Sequence, residues 1–252
     1  MSDAGDRSLD PDDWQALREQ GHRMLDDMVD YLQDLRQRPV WQPIPPQTRA
    51  LFRDPLPQQP AALASVHASF MHDILPYAIG NAHPGFMGWV QGGGTPVGML
   101  AEMLTAGLNA NVGGRDQIPL EVERQLVQWM RELFGFPATA SGLFVTGSSM
   151  ANLIGVLVAR TAKLGIEVRR TGIAGSTNRA QPGNTIRLCA YTSAAAHGCI
   201  AQAMDLAGIG IDALRVIPVN RQHQMDIAAL EQALARDRRN GLVPFFIAGT
   251  AG

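Results

Sequence analysis

Apolar residues first recur at helical spacing: Trp14, Leu17, Met24, Leu25, Met28, Leu32 and Leu35 form one stripe, which predicts an amphipathic helix of about seven turns. Asp10 as N-cap and Pro11 at the first helical position mark its start. The next stretch, "RPVWQPIPPQTRALFRDPLPQQP", holds seven prolines, which excludes a regular helix and predicts an extended arm. Val40, Trp41, Ile44, Leu51 and Phe52 in that arm would expose much apolar surface in a monomer, so residues 1–60 are expected to lie against a partner subunit. From Ala61 the pattern gives a helix, a glycine-rich turn at "HPGFMGWVQGGG", a helix starting at Thr95-Pro96, and another from about Pro119 to Phe134.

Beyond Gly142 short apolar runs alternate with helical patterns. "LFVTG" precedes "SSMANLIGVLVARTAKL", "IRLCAY" precedes "AAAHGCIAQAMDLA", "LRVIPV" precedes "DIAALEQALARD", and "VPFFIAGT" comes last. This alternation predicts an α/β fold, a parallel sheet with crossover helices. The polar segment between Gly165 and Asn184 is expected to be a mobile loop. A strand as apolar as the last one is normally covered on both faces and flanked by further strands, so the chain reads as the first part of something longer.

Composition narrows the partners more than the fold. With 252 residues, 46% of them hydrophobic, the chain can bury a full core. A net charge of −2 gives no support to a nucleic-acid or membrane-surface partner and leaves small molecules or copies of the chain itself. No apolar run approaches the roughly 20 residues of a membrane span, and the acidic N-terminus lacks a signal core. Cys189 and Cys199 have no metal-ligand spacing; they are expected to be reduced and buried in a cytoplasmic protein without a metal site. Twenty of the 21 basic residues are arginine, so Lys163 is the only lysine. Any chemistry that needs a lysine amine must use Lys163 or an amine from elsewhere.

Three clusters bear on chemistry. In "FVTGSSMAN" a strand runs through a Gly-Ser-Ser turn into a helix, and the free N–H groups, the dipole and the hydroxyls of Ser148 and Ser149 make a cup for an anion such as phosphate. A plain turn at Gly147 with one capping serine would explain the same residues. His197 follows the next strand, behind three alanines that leave room for a flat ring, or else serves as a structural donor to a carbonyl. In an open α/β sheet ligands bind outside the carboxyl ends of the strands, so Ser148, Ser149, His197 and Thr250 should face one side. The third cluster, "NAHPGFMGWVQGGGTPVGML", reads as a pocket wall with close backbone approach at Gly92 to Gly94, or as a tight turn with aromatic packing around Phe86. Glu121 and Glu123 read as ordinary solvated or capping carboxylates.

Taken in order, "HPGFMGWVQGGGTPVGMLAEML", "NANVGGRDQIPLEVERQLVQWM", "GLFVTGSSMANLIGVLVAR", "YTSAAAHGCIAQAMDLAGIG" and "FFIAGTAG" resemble the group II pyridoxal-phosphate-dependent decarboxylases, the family of aromatic-L-amino-acid decarboxylase. The resemblance covers nearly the whole chain. It implies an aspartate-aminotransferase-type fold, of which residues 61–252 would be the first part of the large cofactor-binding domain, and a homodimer with sites at the subunit interface. It implies pyridoxal 5'-phosphate as cofactor, with Ser148 and Ser149 on its phosphate, His197 stacked on its ring as the catalytic histidine, and Thr250 in contact with it. Trp89 to Gly92 match the substrate-pocket segment. Asn111 to Gly113 match a loop closing over the neighbouring subunit's site, with small residues where aromatic-specific members have bulkier ones. The implied reaction is decarboxylation of an L-amino acid to the amine and carbon dioxide. The family's catalytic lysine, and the aspartate that pairs with the pyridine nitrogen, fall beyond the matched segment, and Lys163 does not match that lysine. An inactive, truncated relative that keeps the dimerisation arm and the phosphate cup is therefore the alternative expectation. A third, an unrelated α/β phosphate-binding enzyme, is disfavoured because no charged ligand cluster stands at the strand ends.

Overall fold

The computed structural model describes residues 10–113, 116–173 and 186–250. They gather into two compact units, 1–115 and 116–252. No helix among the described residues is long and apolar enough to cross a membrane.

In the first unit, α1 (Trp14–Gln33) is shorter than the apolar stripe suggests and starts later. Its N-cap is Asp13 instead of Asp10: one carboxylate oxygen accepts the N–H groups of Gln15 and Ala16 at 2.8 and 3.0 Å. A side chain that satisfies two otherwise orphaned donors outweighs the proline signal at Pro11. The proline-rich stretch is not wholly extended. Pro46 occupies the first position of a short helix, α2 (Pro46–Leu51), where its missing N–H costs nothing. α3 (Leu63–Ser69) widens into a π-type turn over Phe70–Ile74 and then tightens over Leu75–Tyr77, while α4 (Pro96–Leu108) is capped by the Thr95 hydroxyl. Trp14, Trp41, Phe52 and Leu56 remain exposed, as do Val97, Leu104 and Leu108 of α4.

The second unit opens with α5 (Ile118–Leu133) and α6 (Ser148–Leu164). The "LFVTG" run between them is not a strand. It has no ladder partner among the described residues, and the Phe144 N–H bonds the carboxylate of Glu123 on α5 at 3.3 Å instead. Glu121 pairs with Arg124. A single-turn helix, α7 (Val168–Thr171), occupies the start of the expected polar loop, and the rest of that loop, 174–185, lies outside the described residues.

Three parallel strands follow: β1 (Arg187–Ser193), β2 (Leu214–Ile217) and β3 (Leu242–Ala248), in the order β2-β1-β3. β1 is the central strand and is buried from Leu188 to Ser193, as a run covered on both faces must be. Register with β3 slips at Pro244, which has no N–H to offer the ladder. α8 (Cys199–Leu206) carries the chain from β1 to β2, and α9 (Ile227–Arg239) carries it back past β1 to β3. Crossovers of one hand that run in opposite directions place their helices on opposite faces.

Alternation along β1 shows the two faces directly. Ala190 packs with Val156 of α6 and Ala203, Met204 and Ala207 of the α8 segment. Cys189 and Tyr191 pack with Ile217 of β2 and Leu230 and Ala233 of α9. Both cysteines are free thiols and buried. On the α9 side the Tyr191 hydroxyl donates to Asp237 at 3.0 Å, the Arg215 guanidinium donates to the same oxygen at 2.9 Å, and the Cys189 sulfur lies 3.2 Å from the Tyr191 hydroxyl. The tyrosine's one proton goes to the carboxylate, so the thiol donates to the tyrosine. Burial, together with its bonds to Cys189 and Asp237, pushes the Tyr191 hydroxyl well up, and burial likewise raises the Cys189 thiol, so both stay protonated.

Candidate active site

α6 begins at Ser148 with Gly147 as its N-cap, at φ +89° and without a side-chain cap. That backbone conformation suits glycine, and a side chain there would meet open space. The first-turn N–H groups of the helix and the hydroxyls of exposed Ser148 and Ser149 thus point outward uncapped. Such a donor set fits a phosphate.

Two contacts fix where this helix start lies on the sheet. The Asn152 amide donates to the Ser148 carbonyl at 2.9 Å and also contacts the sulfur of Cys199, the first residue of α8, at 3.6 Å. Two turns further on, Arg160 donates to the carbonyl of Ala207, just past the end of α8, at 2.7 Å. α6 and α8 therefore run side by side in the same direction, with their N-termini together. Because α8 starts where β1 ends, the start of α6 sits at the carboxyl edge of the sheet.

His197 stands in the connection between β1 and α8. Its Nδ1 accepts the N–H of Cys199 at 3.1 Å. With that nitrogen an acceptor, the proton of the neutral ring is on Nε2, and the exposed ring is held at one end by the backbone. Thr250 is exposed two residues beyond the end of β3. Since β3 pairs with β1, with Thr192 opposite Ala248, Thr250 and His197 leave adjacent strands at the same edge. Ser148, Ser149, His197 and Thr250 thus share the carboxyl edge of the sheet. The sequence assigns no place at this site to Asn152 or Cys199. A polar residue four positions after Ser148 on the same helical face was the available signal for the first; nothing local marked the second.

The remaining candidates divide between the units. Trp89 and Gly92 belong to the first unit. Trp89 is 81% exposed at φ +50°, and the Gly92 carbonyl accepts from the Asn81 amide at 2.8 Å. In the following loop the Asn111 side chain accepts the Gly113 N–H at 2.8 Å. Lys163 lies in the last turn of α6, exposed. Fifteen residues of helix separate it from Ser148, about 22 Å at 1.5 Å per residue, so the sole lysine is at the opposite edge of the sheet. No group of three or more potential metal ligands occurs among the described residues.

An open parallel sheet with an uncapped helix start and a fixed imidazole at its carboxyl edge defines an α/β protein whose donor set there fits a small anion. Residues 45–252 match the sequence profile of the pyridoxal-dependent decarboxylase conserved domain, and the chain belongs to that family, whose cofactor is pyridoxal 5'-phosphate. It is 30% identical over 251 residues to aromatic-L-amino-acid decarboxylase of Rattus norvegicus, covering 95% of this chain and 51% of that protein. To the enzyme of the same name from Bacillus atrophaeus it is 25% identical, over 94% of this chain and 47% of that one. The chain spans about half the length of the curated relatives it matches. Among solved structures, Oryza sativa TDC with PLP and tryptamine superposes with a TM-score of 0.77 at 21% identity, over 95% of this chain and 52% of that one. The glutamate decarboxylase domain of a Vibrio parahaemolyticus enzyme superposes at 0.80 and 22%, over 98% and 52%. The fold is that of the pyridoxal-phosphate decarboxylases.

Proposed function

We propose that this chain supplies the phosphate-holding and ring-facing part of a pyridoxal-phosphate-dependent decarboxylase that converts an L-amino acid, aromatic or related, to its amine and carbon dioxide. The observation that carries the reading is the joined start of α6 and α8, which sets the uncapped Ser148-Ser149 turn beside His197 through Asn152 and Cys199. Ser148, Ser149 and the first-turn N–H groups hold the cofactor's phosphate against the positive end of α6. His197, fixed by the Cys199 N–H, would lie on the cofactor ring and orient it, and Thr250 would contact the same ring from β3. When bound, pyridoxal phosphate supplies the electron sink that carbon dioxide loss requires. Trp89 and Gly92 contribute to the amino-acid pocket. Residues 1–60 serve dimerisation, residues 61–252 belong to the large domain, and the homodimer works in the cytoplasm.

The position of Lys163 favours a second reading for these 252 residues taken alone: cofactor binding without turnover. Its amine is a helix length away from the phosphate cup, too far for its side chain to reach the same ligand.

Titration of the chain with pyridoxal phosphate and, separately, with pyridoxal tests the proposal. The phosphorylated form should bind at least tenfold more tightly, and the Ser148→Ala/Ser149→Ala variant should erase most of that difference. Equal binding of the two compounds would remove the phosphate cup from the site. Borohydride reduction with cofactor and an amino acid, followed by peptide mapping, separates the two readings: an adduct on Lys163 together with amine production would overturn the placement of the active site.

A further inference from the structure

A small cavity of about 60 Å³ lies inside the first unit, between the end of α1, the first residues of the arm and the turn around Leu75–His83. One wall is the His83 ring. Its Nδ1 accepts the Gly85 N–H at 2.8 Å, so the neutral ring carries its proton on Nε2. That Nε2 is buried and has no hydrogen-bond partner among the described residues. A buried donor left unmatched is destabilising, and folds pair nearly all of theirs.

The chemistry of the other walls says what would accept. Arg38 lines the cavity, with its guanidinium carbon 4.9 Å from the centre of the Tyr31 ring. This stacking holds a permanent positive charge beside the cavity. No aspartate or glutamate lines it. Gln42, also in the wall, spends its amide N–H on the Pro76 carbonyl at 3.0 Å. Gly80, at φ +82°, brings the turn so close to Val40 that an added Cβ would sit 1.7 Å from the Val40 carbonyl oxygen, so the arm is seated tightly and the cavity cannot collapse by a shift of the arm toward the turn. About 10–15 Å³ suffices for one water, so the space holds a solute of a few atoms at most.

We propose that this cavity is a binding site for a small monoanion, of halide or formate size, held by His83 Nε2–H and the Arg38 guanidinium, which pins the proline-rich arm to the turn that leads into the Trp89 segment. It shares no residue with the proposed cofactor site and does not depend on that assignment.

The thermal midpoint of the intact chain, measured in sodium chloride and in sodium gluconate at equal ionic strength, tests the proposal. Chloride should raise the midpoint by several degrees with saturation, and sodium formate should do the same, because gluconate is too large to enter. The broadening of the chloride-35 resonance by the protein should compete with formate. Arg38→Met removes an exposed charge with little risk to folding and should weaken chloride at least tenfold; His83→Leu should abolish the response, whereas His83→Gln, which restores a donor, should recover part of it. Identical midpoints in chloride and gluconate would overturn the proposal and leave the cavity to water. So would an undiminished chloride response in Arg38→Met, which decides the matter alone should the His83 variants fail to fold.

Discussion

At the level of single residues, the second unit puts two ionisable groups to opposite uses. His197 is anchored by one nitrogen and leaves the rest of its ring exposed at the sheet edge. If the cup anchors the cofactor by its phosphate, as proposed, His197 would act on the ring that must take up charge in the transition state. Under the proposed function, His197→Ala in a decarboxylating form of the enzyme should therefore slow the reaction by about 100-fold while cofactor retention changes far less. A variant that loses the cofactor in proportion to its rate would reduce His197 to a binding residue. Asp237 is 2% exposed and serves stability. Burial alone would raise its carboxyl, but the hydrogen bonds from Arg215 and Tyr191 outweigh burial and hold it below the usual carboxylate range. Removing it leaves Arg215 and Tyr191 without their acceptor, so Asp237→Ala should cost about 2–4 kcal/mol in denaturant unfolding. Because the folded carboxyl lies below its unfolded value near 4, the unfolded chain binds the proton first as acid is added. The stabilisation is complete above about pH 5 and drains away as the pH falls below about 4 toward the folded value. Stability of Asp237→Asn measured between pH 3 and 6 should vary less than that of the unsubstituted chain.

At the level of elements, the proposed function turns on α6, whose uncapped start lies at the sheet edge. Gly147 at φ +89° is the position that lets the chain enter it. Gly147→Val should cost on the order of 1–3 kcal/mol of stability from backbone strain and weaken pyridoxal phosphate more than pyridoxal. Equal weakening of both would mean that the turn matters for folding alone. Lys163→Met, at the far end of the same helix, should leave cofactor binding unchanged. The sequence made much of this element readable. Local rules placed α4 at its threonine cap, α5 within a residue of its bounds, and three of the four expected strands. They failed where the deciding partner is remote. The "LFVTG" run looks like a strand by composition but finds no strand to bond with among the described residues. The miss at the start of α1 is instead local: Asp13 reaches the N–H groups two and three positions on, which the Asp10-Pro11 signal overlooked. The candidate site shows the same division. His197 and Thr250 are marked by strand-to-loop transitions and Ser148 and Ser149 by the glycine turn into a helix, whereas Cys199, 47 residues from Asn152, gains its place only when α6 and α8 lie side by side. The Tyr191–Asp237 pair and the His83 cavity are likewise products of chain closure.

For the whole molecule the unresolved balance is apolar surface. Trp14, Val29, Trp41, Phe52 and Leu56 of the first 60 residues are each more than 40% exposed, a density of large apolar groups beyond what scattered surface positions account for. Within its own unit this segment has a half-buried stripe, Met24, Leu25, Met28, Leu32 and Leu35, and three polar links: Gln20 to His67 at 3.0 Å, Asp27 to His67 at 3.3 Å, and Gln42 to the Pro76 carbonyl. These contacts orient the helix and arm while the five exposed side chains stay free for a neighbour. A stable dimer interface buries about 800 Å² per partner, and five such side chains with their flanks can supply an area of that order. Deleting residues 10–60 should therefore yield monomeric or insoluble protein, read by light scattering and sedimentation, with the sheet unit still showing native-like circular dichroism in any soluble fraction. Milder evidence comes from Trp41→Ser combined with Phe52→Ser, which leaves the polar anchors intact and should weaken self-association by at least tenfold without lowering the thermal midpoint of the monomer. A deletion variant that remains a soluble dimer would move the interface elsewhere, and the exposed stripe of α4 would then be the next surface to substitute.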